Sequence, residues 1–209
     1  MAFGVLEEVP LICGGFNGKT RNTLDDCIAI GHPNLKNIKM LEARRYTSGI
    51  VLDHPSKRFW VTGGVSKSTT EFVYLDKPSE KGPDLPFTIS NHCMIKYNKN
   101  SVFIIGGNQN GTLSDKTWII DPTKNFDIEE GPSLNSPKFA MACGKIKIQK
   151  KIWLVVGQYE RKDTVEILDP SNLSQGWIEG ENLESQILFC NFSKTLCVMI
   201  LHRFICFEF

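Results

Sequence analysis

The residues of this chain that are able to do chemistry are scattered along it. The four histidines lie far apart, and none stands at zinc-ligand spacing from a cysteine. No two of the seven cysteines form a Cys-x-x-Cys pair. The sequence contains no nucleophile elbow, phosphate-binding loop or His-Glu-x-x-His segment. We therefore predict no catalytic residue, no metal site and no cofactor, and we expect that the chain is not an enzyme.

Three of the cysteines, Cys93, Cys143 and Cys190, follow a repeated leucine by eight, nine and seven residues. This spacing allows a thiol cluster, but a crowded inner strand also favours small residues, and reduced cysteine packs as a small hydrophobe. The odd cysteine count is most simply read as free thiols, which predicts a cytoplasmic protein. Glycosylation sequons at Asn110, Asn172 and Asn191 would matter only in a secreted chain.

The overall composition is that of a globular protein, and it excludes two classes of partner. The formal net charge is +1, so no strong field attracts nucleic acid or an acidic membrane. The first residues are a poor signal peptide because two glutamates interrupt their apolar run. The apolar segment at 196–200 is far too short to cross a bilayer.

An apolar run that ends in glycine occurs four times. A pair of glycines closes the first three runs, and Gly157 with Gln158 closes the fourth. A second apolar run follows each of these signals. A Gly-x-x-Leu turn then ends at Leu85, Leu134 and Leu183, which are 49 residues apart in each step. Three markers in phase indicate a structural repeat of about 50 residues.

Each unit contains short apolar runs separated by turn residues, and it contains no helix-length amphipathic segment. Four short antiparallel strands per unit are typical of a propeller blade, which needs neighbours to cover its faces. The sequence thus resembles the Kelch-repeat family, whose signature is an apolar strand ending in Gly-Gly. The resemblance covers residues 11–188, although the aromatic positions of the repeat are only partly kept, as Tyr74 and Trp177.

The resemblance implies an all-β, Kelch-type β-propeller of about four blades, each a four-stranded antiparallel sheet, in a complete or partial ring. We expect an incomplete first blade at 11–40, blades at about 46–80, 91–130 and 140–180, and partial strands at 187–209. The segment at 187–191 would supply the missing first strand if four blades close a ring. The structural glycines of the turns are expected to need positive φ or a close backbone approach; they are Gly14, Gly15, Gly63, Gly64, Gly106, Gly107 and Gly157.

Loops that follow the second and fourth strands of each blade share one face, which in Kelch proteins is the usual partner-binding face. The residues expected to anchor a partner there are Arg21, Arg44, Arg45, Tyr46, Asn108, Tyr159 and Arg161. Because this face is rich in cations, we expect the partner to be another protein that presents an acidic loop or peptide.

The resemblance leaves three functions open. The first is a protein–protein interaction module, such as the substrate-recognition part of a ubiquitin-ligase adaptor whose BTB domain lies elsewhere. The second is an actin- or cytoskeleton-binding Kelch protein. The third is a secreted propeller or a small-molecule enzyme.

Overall fold

The computed structural model describes residues 1–148, 151–157, 164–180, 188–192, 195–200 and 203–208. These parts are all-β, as the repeat predicts, and consist of short antiparallel sheets of the propeller-blade type. The chain divides into two compact units. Unit 1 is Met1–His92 with Asn108–Thr112, and unit 2 is Cys93–Gly107 with Leu113–Phe209. None of the described segments forms a helix long and apolar enough to span a membrane.

The first sheet of unit 1 contains a strand that the sequence analysis did not count. Its strand order is β1-β2-β5, and a small hairpin, β3 with β4, lies between β2 and β5 in sequence. An isolated bridge joins Asp26 to Lys39, near the end of the first blade expected at 11–40. The bounds are β1 (Ala2–Leu6), β2 (Val9–Cys13), β3 (Phe16–Asn17), β4 (Asn22–Thr23) and β5 (Cys27–Ala29).

The second sheet of unit 1 is a complete four-stranded antiparallel meander. Its strands are β6 (Ser48–Leu52), β7 (Arg58–Thr62), β8 (Thr70–Val73) and β9 (Glu80–Lys81), in that order. Every residue of β7 and β8 is buried, as expected for inner strands covered on both faces. Phe59, Val61 and Val73 join side chains of the first sheet, among them Leu11, in one apolar core.

A short ladder completes unit 1, and the next four-stranded sheet begins unit 2. Ile89 and Ser90 of β10 pair with Gln109 and Asn108 of β13. In unit 2 the sheet has the order β11-β12-β15-β16. The bounds are β10 (Ile89–Ser90), β11 (Cys93–Lys96), β12 (Val102–Ile105), β13 (Asn108–Gln109), β14 (Thr112–Leu113), β15 (Thr117–Asp121) and β16 (Asp127–Glu130).

The next sheet of unit 2 is another four-stranded meander. Its strands are β17 (Ala142–Ile148), β18 (Lys151–Gly157), β19 (Val165–Leu168) and β20 (Ile178–Glu179), with a 3-10 helix at Leu173–Gln175. Leu154, Val156, Leu168 and Trp177 pack with Phe103 and Ile105 of the preceding sheet in one core. The indole Nε1 of Trp177 donates a hydrogen bond to the carbonyl oxygen of Pro132 at 2.9 Å.

The final described strands form their own antiparallel sheet in unit 2. They are β21 (Leu188–Phe192), β22 (Thr195–Ile200) and β23 (Arg203–Glu208). Leu188–Phe192 pairs with β22, and the first strand of the first sheet is β1, which pairs with β2. The segment at 187–191 is therefore not needed to provide that strand.

The double glycines have a common backbone role in three copies of the repeat. Gly14, Gly63 and Gly106 all have positive φ, and so does the glycine that follows each of them. The backbone N–H of the second glycine donates to a carbonyl of the next blade's entry segment: Gly15 to Arg44, Gly64 to Ile89 and Gly107 to Lys138, at 2.7, 2.8 and 2.7 Å. A Cβ on Gly63 would stand 2.2 Å from the Ile89 oxygen, so glycine is required.

Gly157 does not occupy the corresponding place. It lies inside β18 and pairs with Val165, in the register position that Thr62 holds opposite Thr70 and Ile105 holds opposite Thr117. The interpretation of Gly157 as the first glycine of a degraded pair is therefore wrong by one residue. Gln158, which aligns with Gly63, lies outside the described residues.

Two disulfides correct the expectation of reduced thiols. Cys13 at the end of β2 is bonded to its cross-strand neighbour Cys27, with the Cα atoms 4.1 Å apart. Cys93, the first residue of β11, and Cys143, the second residue of β17, are bonded to each other across two sheets of unit 2. The recurring spacing of Cys93 and Cys143 thus marked true neighbours, but they form a disulfide rather than two free thiols. The side chain of Cys190 lies outside the described residues.

Candidate functional site

Arg44 was predicted to anchor a partner, and the structure buries it instead. The side chain is 1% exposed, and its Nε donates to Glu71 Oε1 at 2.6 Å. The remaining guanidinium nitrogens donate to the carbonyls of Gly63 and Thr69 and to the Thr69 hydroxyl. With its donors engaged inside unit 1, Arg44 is a structural residue, and its assignment to the binding face is wrong.

Lys138 holds the matching position in unit 2. Its side chain is also 1% exposed, and Nζ lies 3.0 Å from Glu166 Oε1. The ammonium also donates to the hydroxyls of Ser136 and Thr164. A buried charge needs a counter-ion and full hydrogen bonding, and both units meet this requirement at the same repeat position.

A cluster of three residues with two exposed aromatic rings lies beside Arg44 in unit 1. We name this cluster the Phe16–Arg45–Tyr46 patch. The guanidinium carbon of Arg45 lies 5.2 Å from the centroid of the Phe16 ring and 5.8 Å from that of Tyr46. Phe16 is 48% and Tyr46 53% exposed. These distances allow cation–π attraction to both rings. The turns after Gly15 and after Arg44 bring the three residues together.

Arg45 retains its capacity to bind an anion. Among the described residues no carboxylate forms an ion pair with it, whereas the neighbouring Lys67 is paired with Glu42. The hydrogen bond from Lys67 holds the pKa of Glu42 below its ordinary value, so this carboxylate stays ionised and occupied. A guanidinium fork close to two aromatic rings can take a carboxylate in a bidentate manner while the rings cover the apolar part of the ligand.

Tyr46 has an unusual backbone conformation. Its φ is +58°, in the left-handed region that a bulky side chain rarely adopts. The equivalent residues of the next two copies, Asn91 and Ala140, also have positive φ, at +54° and +47°. The repeat therefore imposes this conformation, and tyrosine is the least suitable of the three residues for it. An exposed aromatic residue kept at a strained position indicates a use other than stability.

Of the other four predicted binding residues, the structure describes Arg21 and Asn108. Arg21 is exposed in the turn between β3 and β4, with φ of +56°. Asn108 is half-buried in β13 and pairs with Ser90. Tyr159 and Arg161 lie outside the described residues. Phe16 was not among the residues chosen as anchors, although it directly follows the first Gly-Gly pair.

His92 is a buried histidine of unit 1. Its Nε2 lies 2.7 Å from the Thr62 hydroxyl, while Nδ1 has no hydrogen-bond partner. Burial lowers the pKa of His92 to about 3, so the ring is neutral at physiological pH. Within the described part of the chain, no group of three or more His, Cys, Asp or Glu side chains could hold a metal ion.

No protein-family model matches this chain, and neither does any curated protein sequence. Similar solved structures include a fungal alcohol oxidase of the AA5 family in complex with copper, with a TM-score of 0.53 at 9% identity. The matched region covers 94% of this chain but 57% of the oxidase. YjhT is similar with a TM-score of 0.59 at 9% identity, over 94% of this chain and 75% of YjhT.

These comparisons support the fold and correct the predicted function. One neighbour is an alcohol oxidase, and the name of neither describes an adaptor. The interpretation as a protein–protein interaction module of a ubiquitin-ligase adaptor is therefore wrong.

Proposed function

We propose that this chain is a ligand-binding propeller of an oxidising compartment, and that its Phe16–Arg45–Tyr46 patch binds a small carboxylate-bearing molecule. This takes the place of the cytoplasmic location expected from the sequence. Disulfides persist in secreted and extracellular proteins and are rare in the cytosol, where thiols are kept reduced. The bonds Cys13–Cys27 and Cys93–Cys143 support the compartment. Membership of the Kelch family stays part of the proposal, on the repeat signature alone.

The observation that carries the binding function is the half-buried Arg45, whose guanidinium lies close to the exposed rings of Phe16 and Tyr46 and has no carboxylate partner in the described structure. The arginine fixes the acid group of the ligand, and Phe16 and Tyr46 supply apolar area with little loss of side-chain entropy. The partner predicted from the sequence, an acidic loop or peptide, would use the same chemistry and stays a prediction. Catalysis is not part of the proposal, and the expectation that the chain is not an enzyme also stays a prediction.

The test is titration calorimetry of the whole chain with a panel of small carboxylates, each matched with its neutral amide or alcohol. We expect a carboxylate of the panel to bind and its neutral counterpart not to bind. Arg45→Met should remove the binding, while Arg21→Met, a matched change at an exposed arginine of the same unit, should preserve it. Equal affinities of the wild type and Arg45→Met, or no carboxylate that binds better than its neutral match, would refute the patch.

A further inference from the structure

The turn between β13 and β14 carries the sequon Asn110-Gly111-Thr112 at the surface. Asn110 and Gly111 have φ of +49° and +84°, as in the tight Asn-Gly turns that connect antiparallel strands. Asn110, Gly111 and Thr112 are all exposed. A Cβ added to Gly111 would meet no atom within 4 Å, so the space beside the turn is open.

The Asn110 side chain is held by its oxygen. Its Oδ1 accepts hydrogen bonds from the backbone N–H of Thr88 at 3.0 Å and from the Thr88 hydroxyl at 3.4 Å. Because a backbone N–H can only donate, the atom facing Thr88 must be the amide oxygen. The backbone N–H of Asn110 also donates to the Thr88 carbonyl at 3.0 Å. In the described structure, Nδ2 has no hydrogen-bond partner.

This geometry differs from that of the second described sequon. Asn172 precedes the 3-10 helix, and its Oδ1 accepts a hydrogen bond from Ser174, the hydroxyl residue of its own sequon, at 2.7 Å. At Asn110 the fold uses the amide oxygen, and neither Nδ2 nor the Thr112 hydroxyl is needed to hold the turn. A group attached to Nδ2 of Asn110 would therefore break none of the hydrogen bonds that fix the side chain.

We infer that Asn110 is an N-glycosylation site, an inference that rests on the oxidising compartment of the proposed function. The donor class is an oligosaccharide carried on a lipid diphosphate. The Nδ2 nitrogen attacks the anomeric carbon, a nitrogen–carbon bond forms, and the bond from that carbon to the diphosphate oxygen breaks. The lipid diphosphate leaves, and one Nδ2 proton passes to a base of the transferase. The glycan then extends from a turn that the protein holds by Thr88.

The experiment is site-specific mass spectrometry of the whole chain, secreted from animal cells behind a heterologous signal peptide. Release by peptide N-glycosidase in ¹⁸O-water should convert Asn110 to ¹⁸O-labelled Asp. Thr112→Val removes the sequon hydroxyl without changing Asn110 and should abolish the label, whereas Thr112→Ser should retain it. Asn172→Gln should leave the labelling of the Asn110 peptide unchanged.

The disulfides of the same sample separate failure of this inference from failure of the proposed compartment. An unmodified Asn110 peptide in protein that contains Cys13–Cys27 and Cys93–Cys143 would overturn the glycosylation site alone. Free thiols at these four cysteines in secreted protein would overturn the compartment and, with it, the basis of the inference. Label at Asn110 that persists in Thr112→Val would show that deamidation produced it, and would equally overturn the site.

Discussion

Two buried ion pairs, Arg44–Glu71 in unit 1 and Lys138–Glu166 in unit 2, occupy the same place in the repeat. The backbone carbonyl of each cationic residue accepts a hydrogen bond from the N–H of the second glycine of a pair. Gly15 donates to Arg44, and Gly107 donates to Lys138. Each glutamate lies on the third strand of its sheet and pairs with the fourth-strand residue that precedes a glycine. Glu71 pairs with Lys81, before Gly82, and Glu166 pairs with Glu179, before Gly180.

The intervening copy shows which part of this arrangement is constant. There Ile89 replaces the cation, and Trp118 stands at the register position of the two glutamates. The glycine hydrogen bond is nevertheless kept, from Gly64 to the Ile89 carbonyl at 2.8 Å. The hydrogen bond from the second glycine to the carbonyl of the entry segment, which we call the backbone joint, is therefore present in all three copies, whereas the ion pair is present in two of them.

The two cations differ in how they are held. The guanidinium of Arg44 binds Glu71, the carbonyls of Gly63 and Thr69, and the Thr69 hydroxyl in a fixed fork. The ammonium of Lys138 binds Glu166 and two hydroxyls as a compact charge. Arginine and lysine are not interchangeable at such sites, because only the planar fork can reach several fixed acceptors at once.

The largest effect is expected from removing either cation. Arg44→Ala and Lys138→Ala should each lower the free energy of unfolding by about 3 kcal/mol or more, because each leaves a buried glutamate without its counter-ion. Urea denaturation measures the loss. The double variants Arg44→Met with Glu71→Leu and Lys138→Met with Glu166→Leu should lose much less, because they leave no unpaired buried charge. Single variants as stable as the wild type would show that the buried ion pairs do not contribute to stability.

The second largest loss of stability is expected from substitutions in the double glycines. Gly63→Ala and Gly106→Ala place a Cβ 2.2 Å from the Ile89 oxygen and 2.6 Å from the Lys138 oxygen, at positive φ. We expect each to lower stability by about 2 kcal/mol or more, with Gly63→Ala the more damaging. Gly18→Ala is the control, since its Cβ would meet nothing within 4 Å. Thermal melts in which all three variants match would contradict the role of the double glycines.

The sequence predicted the backbone joint but not the ion pairs, for a physical reason. Glycine pairs and apolar runs act through local backbone conformation, so their spacing alone reveals the blades. Whether Arg44 is buried depends on Glu71, which is 27 residues away and reaches it only in the folded sheet. Aligning Arg44 with Lys138, and Glu71 with Glu166, would have indicated a buried pair rather than a binding residue.

For the cysteines and the Phe16–Arg45–Tyr46 patch, the sequence likewise shows which residues are present but not which of them meet in the fold. The similar spacing of Cys93 and Cys143 from the repeat leucines was visible in the sequence, but their oxidation state depends on the compartment. Cys13 and Cys27 become partners only through the β2–β5 register. Arg45 and Tyr46 were selected for their chemistry, whereas the approach of Phe16 depends on how the turn after Gly15 meets the segment after Arg44.

The stability of the protein should depend on pH through the buried His92 of unit 1. His92 is neutral when folded because burial lowers its pKa to about 3, whereas the unfolded chain binds a proton near its ordinary value of 6.5. The unfolded state therefore gains protons first as pH falls, and stability declines between about pH 6.5 and pH 3. At pH 5 this contribution to the unfolding free energy should be about 2 kcal/mol smaller than at pH 8.

Urea denaturation at several pH values measures this contribution, with His92→Gln as the comparison. The amide of glutamine can still reach Thr62 but does not titrate, so the variant should lose the component of the acid sensitivity that His92 supplies. Identical pH profiles for the wild type and the variant would show that His92 is not the titrating group.

The smallest change in stability is expected at the repeat position where Tyr46, Asn91 and Ala140 have positive φ. Asparagine tolerates positive φ better than tyrosine or alanine does, because its short polar side chain can bond locally. Tyr46→Asn in unit 1 and Ala140→Asn in unit 2 should therefore each raise the unfolding free energy, by up to about 1 kcal/mol. Thermal and urea denaturation of the two variants measure the gain.

The two variants should then differ in binding. Tyr46→Asn removes one wall of the Phe16–Arg45–Tyr46 patch and should weaken carboxylate binding despite the gain in stability. Ala140→Asn changes no residue of the patch and should leave binding unchanged. A tyrosine that is costly for folding and necessary for binding would be retained for its ligand. If Tyr46→Asn is more stable and binds as well as the wild type, the strained tyrosine has no part in recognition, and Arg45 and Phe16 would have to account for the binding.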